Sequence, residues 1–374
     1  MCKRIFKEQT SEEGDVPFYK IGTFGGSPDA YISRELFEEY KKAYQYPSKG
    51  DILISASGSI GRTVEYTGED EYFQDSNIVW LKHGDNIDNA FLKVLYSVVE
   101  WSCEGSTIKR LYNDNFLKTE FMLPYIEEQT KIGEFFSQID NLITLHQRKC
   151  DETKELKKFM LQKMFPKNGE KKPEIRFEGF TDDWEQRKLG ELASFSKGSG
   201  YSKSDLTDAG TPIILYGRLY TKYETVISKV DTFADAKSGS VYSKGGEVIV
   251  PGSGETAEDI SIASVVENAG VLLGGDLNII TPPEEIDSAF LAISISNGKP
   301  HKDMAKMAQG KSVVHLHNSD LGKIDLPYPS MEEQRKISGT FANLDNLITL
   351  HQRKCDEIKE IKKFMLQNMF PQKG

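Results

Sequence analysis

One stretch of this chain occurs twice. Residues 140–166 read DNLITLHQRKCDETKELKKFMLQKMFP, and residues 345–371 read DNLITLHQRKCDEIKEIKKFMLQNMFP. Twenty-four of 27 positions agree at an offset of 205, the changes being Thr153/Ile358, Leu156/Ile361 and Lys163/Asn368. Self-similarity of this kind sets the architecture before any local signal does. Just upstream, Leu123–Ile132 (LPYIEEQTKI) pairs with Leu326–Ile337 (LPYPSMEEQRKI), which is two residues longer. Further back the likeness weakens. Gly50–Ile54 pairs with Gly246–Val250, Ile87–Leu92 with Ile286–Leu291, and Gly105, Leu111 and Asn113 with Gly310, Leu316 and Asn318. The plan is globular unit, helix, globular unit, helix. The helices stay alike, as a shared structural task requires, while the units diverge, as two separate recognition tasks allow.

From Glu127 to Phe165 the chain has no proline and one glycine, Gly133. At about 1.5 Å per residue this predicts a rod of roughly 58 Å. A second rod is expected from Glu332 to Phe370, and Pro166 and Pro371 stop the two. Ile132, Phe135, Ile139, Leu142, Leu156 and Met160 are read as a seam, with His146 and Thr153 at weak positions. A lone amphipathic rod would leave its stripe wet. Two alike can pack antiparallel about a pseudo-two-fold axis.

The remainder predicts short strands at 51–55, 77–82, 212–216, 247–250 and 278–280, bounded by Gly, Ser and Asp turns. The expected fold is mixed α/β: two globular α/β domains separated by two long antiparallel coiled-coil helices, with a pseudo-two-fold internal repeat. The expected boundaries are 1–125 and 181–328 for the globular domains, 126–166 and 329–371 for the helices, and 167–180 for a linker.

Composition narrows the class. Of 374 residues, 38% are hydrophobic and 28% charged, which suits a chain of two or three packed domains. No apolar run is long enough for a membrane span, and MCKRIFKEQTSEEGD lacks the apolar core of a secretory signal. Cys2, Cys103, Cys150 and Cys355 are sparse, which fits a reducing cytoplasm. The net charge is −10; taken alone, that weighs mildly against nucleic acid. It is spread unevenly. Residues 1–125 carry −6 and residues 173–328 carry −8, while 126–172 and 329–374 carry +2 each.

Several motifs invite a reading. GSGETA (252–257) follows a strand, like the start of a dinucleotide fingerprint, but its partner ASGSIGR (56–62) leads into strand in both copies. A glycine-rich loop that presents Ser57, Ser59, Arg62 or Ser253 to a ligand competes with a plain turn. HQRKC places His146 with Cys150, and His351 with Cys355, on one helix face each. A His₂Cys₂ zinc set competes with a polar seam position that fixes register. The segments 105–110 and 310–315 bring Lys109, Arg110, Lys311 and His315, with His317 close behind, to turns that can meet phosphates or base edges. Solvated charged turns are the alternative. No GxxxxGK[ST], no Asn/Asp-Pro-Pro-Tyr, no HExxH and no Ser/His/Asp context occurs, so nothing supports an enzyme acting alone.

Two variable units, each closed by LPY…EEQxxI and a long helix, resemble the specificity subunit of type I restriction-modification systems. Trp184–Glu191 (WEQRKLGE), opening the second unit, is similar to that family as well. The resemblance covers nearly the whole chain. It implies a non-catalytic DNA sequence-recognition subunit whose globular domains each read one half of a bipartite double-stranded site. The helices would set the gap between the halves and dock two methyltransferase subunits, with two restriction subunits joining for cleavage. S-adenosylmethionine, ATP and Mg would reside on those partners and none on this chain. The DNA-binding candidates are then Lys20, Ser57, Ser59, Arg62, Lys109 and Arg110 in the first unit. In the second they are Arg218, Tyr220, Lys222, Ser253, Lys311, Ser312, His315 and His317. Met1 aligns near Lys197, so the first unit has no counterpart of residues 167–196. The family usually completes its circular symmetry with such a segment, which leads us to expect a truncated or late start. Two other classes compete: an acidic DNA-mimic inhibitor, against which 47 basic residues count, and a coiled-coil protein adaptor.

Overall fold

The computed structural model describes residues 1–104, 109–167, 169–308 and 313–370. The chain divides into two compact units, Met1–Gln147 with Gln352–Gly374, and Arg148–His351. Among the described residues, no helix is long and apolar enough to cross a membrane.

In the first unit Val16–Tyr19 pairs antiparallel with Tyr31–Ile32 and parallel with Tyr72–Phe73. A second sheet centres on Ile52–Ser55, flanked antiparallel by Thr63–Glu65 and Ile78–Trp80. The central strand is buried on both faces. Side chains alternate along a strand, so Leu53 enters the core of Val16, Phe18 and Phe37, whereas Ile52 and Ile54 enter the core of Phe91, Leu92 and Leu111. Helix Asn89–Val98 supplies much of the second core. Asp88 caps it by accepting the Phe91 N–H, which satisfies one of the free donors of the first turn.

The second unit repeats this plan on a larger scale. Glu247–Pro251 is the middle of a five-stranded sheet in which its antiparallel neighbours are Ser264–Val266 and Leu277–Thr281. Val248 and Val250 face the core of Phe290, Leu291 and Phe341, and Ile249 faces a second core with Ile214 and Leu273. Helix Ser288–Ser296 is capped by Asp287, which accepts the Phe290 N–H. A four-stranded sheet includes Thr211–Ile214, and two-stranded ribbons join Ser253–Gly254 to Val314–His315 and Glu185–Lys188 to Asp325–Tyr328.

The two long helices run from Ile126 to Lys163 and from Met331 to Met369. Each gives one part to each unit. Within the first unit the parts run antiparallel: Lys362 pairs with Asp140 at 2.6 Å, and the Cys355 thiol lies 3.9 Å from the Ile143 carbonyl. Within the second unit they do so again, with Lys157 on Asp345 and the Cys150 thiol 3.8 Å from the Ile348 carbonyl.

The buried stripe matches the one read from the sequence only in part. Phe136, Ile139, Cys150 and Met164 are buried and Ile132, Ile143, His146, Thr153 and Met160 half-buried, whereas Phe135, Leu142 and Leu156 are exposed. The helix carries apolar residues at adjacent positions, such as Phe135/Phe136 and Leu142/Ile143, and spacing alone does not choose between them. Small Cys150, lying against a carbonyl of the opposite helix, settles the phase.

The junction of helix and globular part is built twice with the same contacts. Gln129 accepts the Asp88 N–H and donates to the Asn86 and Pro124 carbonyls; Gln334 accepts the Asp287 N–H and donates to the Glu285 and Pro329 carbonyls. Phe370 packs on Phe91 and Phe136 with ring centroids 6.0 and 6.4 Å away, and Phe165 packs on Phe290 and Phe341 at 5.9 and 6.3 Å. Gly133 is needed because a Cβ there would sit 2.7 Å from the Phe91 nitrogen.

Candidate nucleic-acid interface

In each unit, one loop leaves the end of the central strand and meets a second segment from farther along the chain. In the first unit Ala56 N donates to Asn77 O at 2.8 Å, Leu111 N donates to Ala56 O at 2.8 Å, and Ser57 forms a bridge with Arg110. In the second, Gly252 N donates to Asp276 O at 2.6 Å, Leu316 N donates to Gly252 O at 3.0 Å, and Ser253 pairs with His315. Arg110 and His315 therefore occupy equivalent places, both exposed beside a glycine–serine loop.

The serines serve the scaffold. Ser57 is buried and its hydroxyl donates to Asn77 Oδ1 at 2.8 Å; Ser253 is buried and donates to Asp276 Oδ2 at 2.5 Å. Ser59 is exposed at the loop tip, where its carbonyl accepts from the Ser55 hydroxyl. Arg62 is exposed, lies over the Phe24 ring and donates to the Ile21 carbonyl at 2.6 Å, which ties this loop to the turn after Lys20. Lys20 pairs with Asp29 at 2.8 Å. Lys109 is exposed at the same edge. Arg110 lines a recess of about 450 Å³ with Glu104, Tyr112, Asn113 and Asn115. The first-unit candidates thus gather along one edge.

The second-unit candidates fall into two groups. His315 and His317 follow the loop of Ser253, and His317 stands before the short helix Asn318–Leu321. Arg218, Tyr220 and Lys222 lie on and just after the turn of helix Arg218–Thr221. Lys311 and Ser312 fall outside the described residues.

Arg218 is a correction to the sequence reading. Its side chain is only 8% exposed and donates to Glu224 and Asp231 at 2.7 Å and to the Lys229 carbonyl at 2.9 Å. With three bonds from its two Nη atoms to its own chain, and its Nε buried without a partner, this guanidinium is a fastener, not an exposed contact. Lys222 stays exposed and pairs with Asp231 at 2.6 Å; that hydrogen bond is the main reason the Asp231 carboxyl is held below the usual carboxylate range. Burial is the largest cause pushing the Tyr220 phenol up, with the neighbouring Tyr216 and the loop carboxylates Asp259 and Glu255 adding to it.

Sequence reasoning missed Lys197. A Cβ on Gly252 would lie 3.1 Å from its ammonium nitrogen, so this lysine stands at the root of the Ser253 loop. The pairing of strand Ser194–Lys197 with Leu277–Thr281 puts it there, and no local motif signals such a pairing. Among the described residues there is no group of three or more His, Cys, Asp or Glu that could hold a metal ion. Cys150 and Cys355 are instead buried against helix carbonyls.

Two α/β units are thus built to one plan, each placing Arg110 or His315 beside a glycine–serine loop. The model of the type I restriction modification DNA specificity domain matches residues 1–155 and 181–360, and the chain belongs to that family. A Haemophilus influenzae protein named for a type I restriction enzyme specificity subunit is 56% identical over 144 residues, which are 38% of this chain and 37% of that protein. The chain thus spans just over a third of that relative's length. The MjaVIII specificity subunit of Methanocaldococcus jannaschii is 24% identical over 328 residues, covering 84% of this chain and 74% of that one. The fold is also that of a solved type I restriction-modification S subunit from M. genitalium. Its TM-score is 0.63 at 16% identity, over 100% of this chain and 93% of the other. A structure from a study of type I system assembly has a TM-score of 0.50 at 16% identity, over 94% of this chain and 90% of the other.

Proposed function

We propose that this chain is the DNA sequence-recognition subunit of a type I restriction-modification complex. Residues 1–125 and 181–328 are target recognition domains, each reading one half of a bipartite double-stranded site. The observation that carries this reading is the equivalent placement of Arg110 and His315 beside the loops of Ser57 and Ser253. One scaffold with different side chains at the same spot is what two half-sites of different sequence require. Bidentate arginine–guanine contacts and histidine donors at base edges are ordinary means of reading a groove.

Residues 126–166 and 329–371 act as antiparallel coiled-coil spacers that set the gap between half-sites, with 167–180 as a linker. They also dock two methyltransferase subunits. Leu142/Leu347, Leu156/Ile361 and Phe159/Phe364 support this, since all six side chains are exposed at matching positions of the repeat. Two equal apolar patches suit two copies of one partner. Two restriction subunits complete the complex, in the cytoplasm. The chain itself is non-catalytic. S-adenosylmethionine, ATP and Mg belong to the partners.

Mapping methylated adenines in a host that expresses this chain with its methyltransferase tests the proposal. A single bipartite motif, absent when this chain is omitted, is the expected result. Methylation that is unchanged by omission would overturn it.

A further inference from the structure

Lys197 closes strand Ser194–Lys197 of unit two, and its register partner on the neighbouring strand is Asn278. Asn278 is fully buried, and its amide donates to the carbonyls of Leu316 at 3.0 Å and Pro251 at 3.4 Å. One side chain therefore clamps both the strand that runs into the Ser253 loop and the segment that carries His315. Asn318 donates to the Ser196 carbonyl at 2.9 Å, which ties the residue before Lys197 to the short helix after His317. Lys197 thus stands on backbone held from two directions, as a side chain with a fixed task requires.

The ammonium reaches Gly252, at the root of the Ser253 loop. A Cβ there would lie 3.1 Å from the Lys197 Nζ and 2.9 Å from the Asp276 carbonyl oxygen, so a glycine leaves the cation its place. The Gly252 amide and carbonyl are already engaged, with Asp276 O and Leu316 N. The Asp276 carboxylate is engaged too, by the Ser253 hydroxyl at 2.5 Å. Lys197 is exposed, and among the described residues it forms no ion pair. Other lysines of unit two differ: Lys188, Lys222, Lys237, Lys299 and Lys323 each hold a carboxylate at 3.0 Å or less. An ammonium is a compact point charge with three donors. It suits a phosphate oxygen better than the two-point edge of a base.

We propose that Lys197 is a further DNA-contacting residue of unit two, and that its ammonium takes a backbone phosphate beside the base pair met by His315. The inference rests on the reading of this chain as a DNA-recognition subunit. It adds to that reading a contact that sets the register of the duplex and carries no sequence information itself. It also bears on the acidity of the unit. Residues 173–328 carry −8, so a duplex approaches this edge against the net charge. An unneutralised cation at the loop root gives it one fixed point of attachment, next to the side chain that reads.

The test uses the intact chain with its methyltransferase and two synthetic duplexes of equal length. One carries the methylated motif found by mapping, and the other carries that motif scrambled. Lys197→Gln should weaken binding to both duplexes several-fold and by the same factor. It should make the slope of log affinity against log salt shallower by about 0.9 and leave the mapped motif unchanged. Lys197→Arg should restore affinity and slope. Lys244→Gln is the control: this exposed lysine lies before strand Glu247–Pro251, at the end away from the loop. Five strand residues span about 16 Å, more than the Debye length of about 10 Å at 0.1 M salt, so this variant should change neither quantity. Thermal unfolding checks that each variant is folded. Three results would overturn the proposal: Lys197→Gln with the affinity and slope of the parent, an altered preference at one base pair, which would make Lys197 a reader, or an equal loss in Lys244→Gln, which would reduce the effect to net charge. A parent complex that binds both duplexes equally would instead refute the DNA-recognition reading itself.

Discussion

Cutting the Arg176–Glu333 pair should cost unit two more stability than any surface ion pair in the molecule. The carboxylate side chain is 1% exposed and the guanidinium 13%, and the two hydrogen bonds of 2.7 Å use both carboxylate oxygens. A third guanidinium bond reaches the Asp182 carbonyl at 2.6 Å. Arg176→Met keeps much of the stem's bulk but leaves Glu333 buried without its counter-charge. Such an orphaned ion costs about 3–5 kcal/mol, against about 0–1 for an exposed pair. Unit two comprises 204 residues, for which 1 kcal/mol moves the midpoint by about 2–4 °C. The expected loss is therefore about 6–20 °C. Trp184, the tryptophan of unit two, reports it, since its ring lies on Phe165 and Phe290. Arg176→Met with Glu333→Leu removes the stranded charge and should recover part of the loss. A single variant within about 1 kcal/mol of the parent would refute the claim that this pair pins residues 170–192.

Four further expectations follow from particular side chains. Arg218→Ala should lower the stability of unit two by about 2 kcal/mol, since it removes the charged hydrogen bonds that a side chain only 8% exposed makes to Glu224 and Asp231, and urea unfolding checks it. Arg110→Ala should leave stability within about 0.5 kcal/mol but weaken DNA binding by about 1–3 kcal/mol with relaxed specificity at one base pair, read by competition titration. Burial pushes the Cys2 thiol up to about 12, so at pH 9 it stays protonated and should resist alkylation until the chain is unfolded, as followed by peptide mass spectrometry. Salt titration of DNA binding should give a shallow slope for this chain of net charge −10 alone and a steeper one with two methyltransferase subunits added.

The two-unit plan was legible because a 27-residue repeat with 24 matches at an offset of 205 allows little else, and the helix limits lay within a few residues of those observed. The central strands were legible for a similar reason: ILIS and EVIVP are apolar runs bounded by turns. The phase of the helix stripe was not, because Phe135 and Phe136 are equally apolar and only the opposite helix decides which is covered. Side-chain roles were the least legible. Arg110 and Arg218 are the same residue type in charged turns, and what separates them is long-range: Glu224 and Asp231 close over one, while the bridge to Ser57 holds the other at an edge. Lys197 reached the candidate edge only through the pairing of distant strands.

The proposed function requires two independent readers on one chain. Residues 1–125 should be replaced by the matching segment of a family member with a different specificity, and the methylated motif mapped genome-wide in the presence of the methyltransferase. One half of the bipartite motif should change while the other half and the gap between them stay as they were. A folded, active chimera in which both halves change, or neither does, would contradict it.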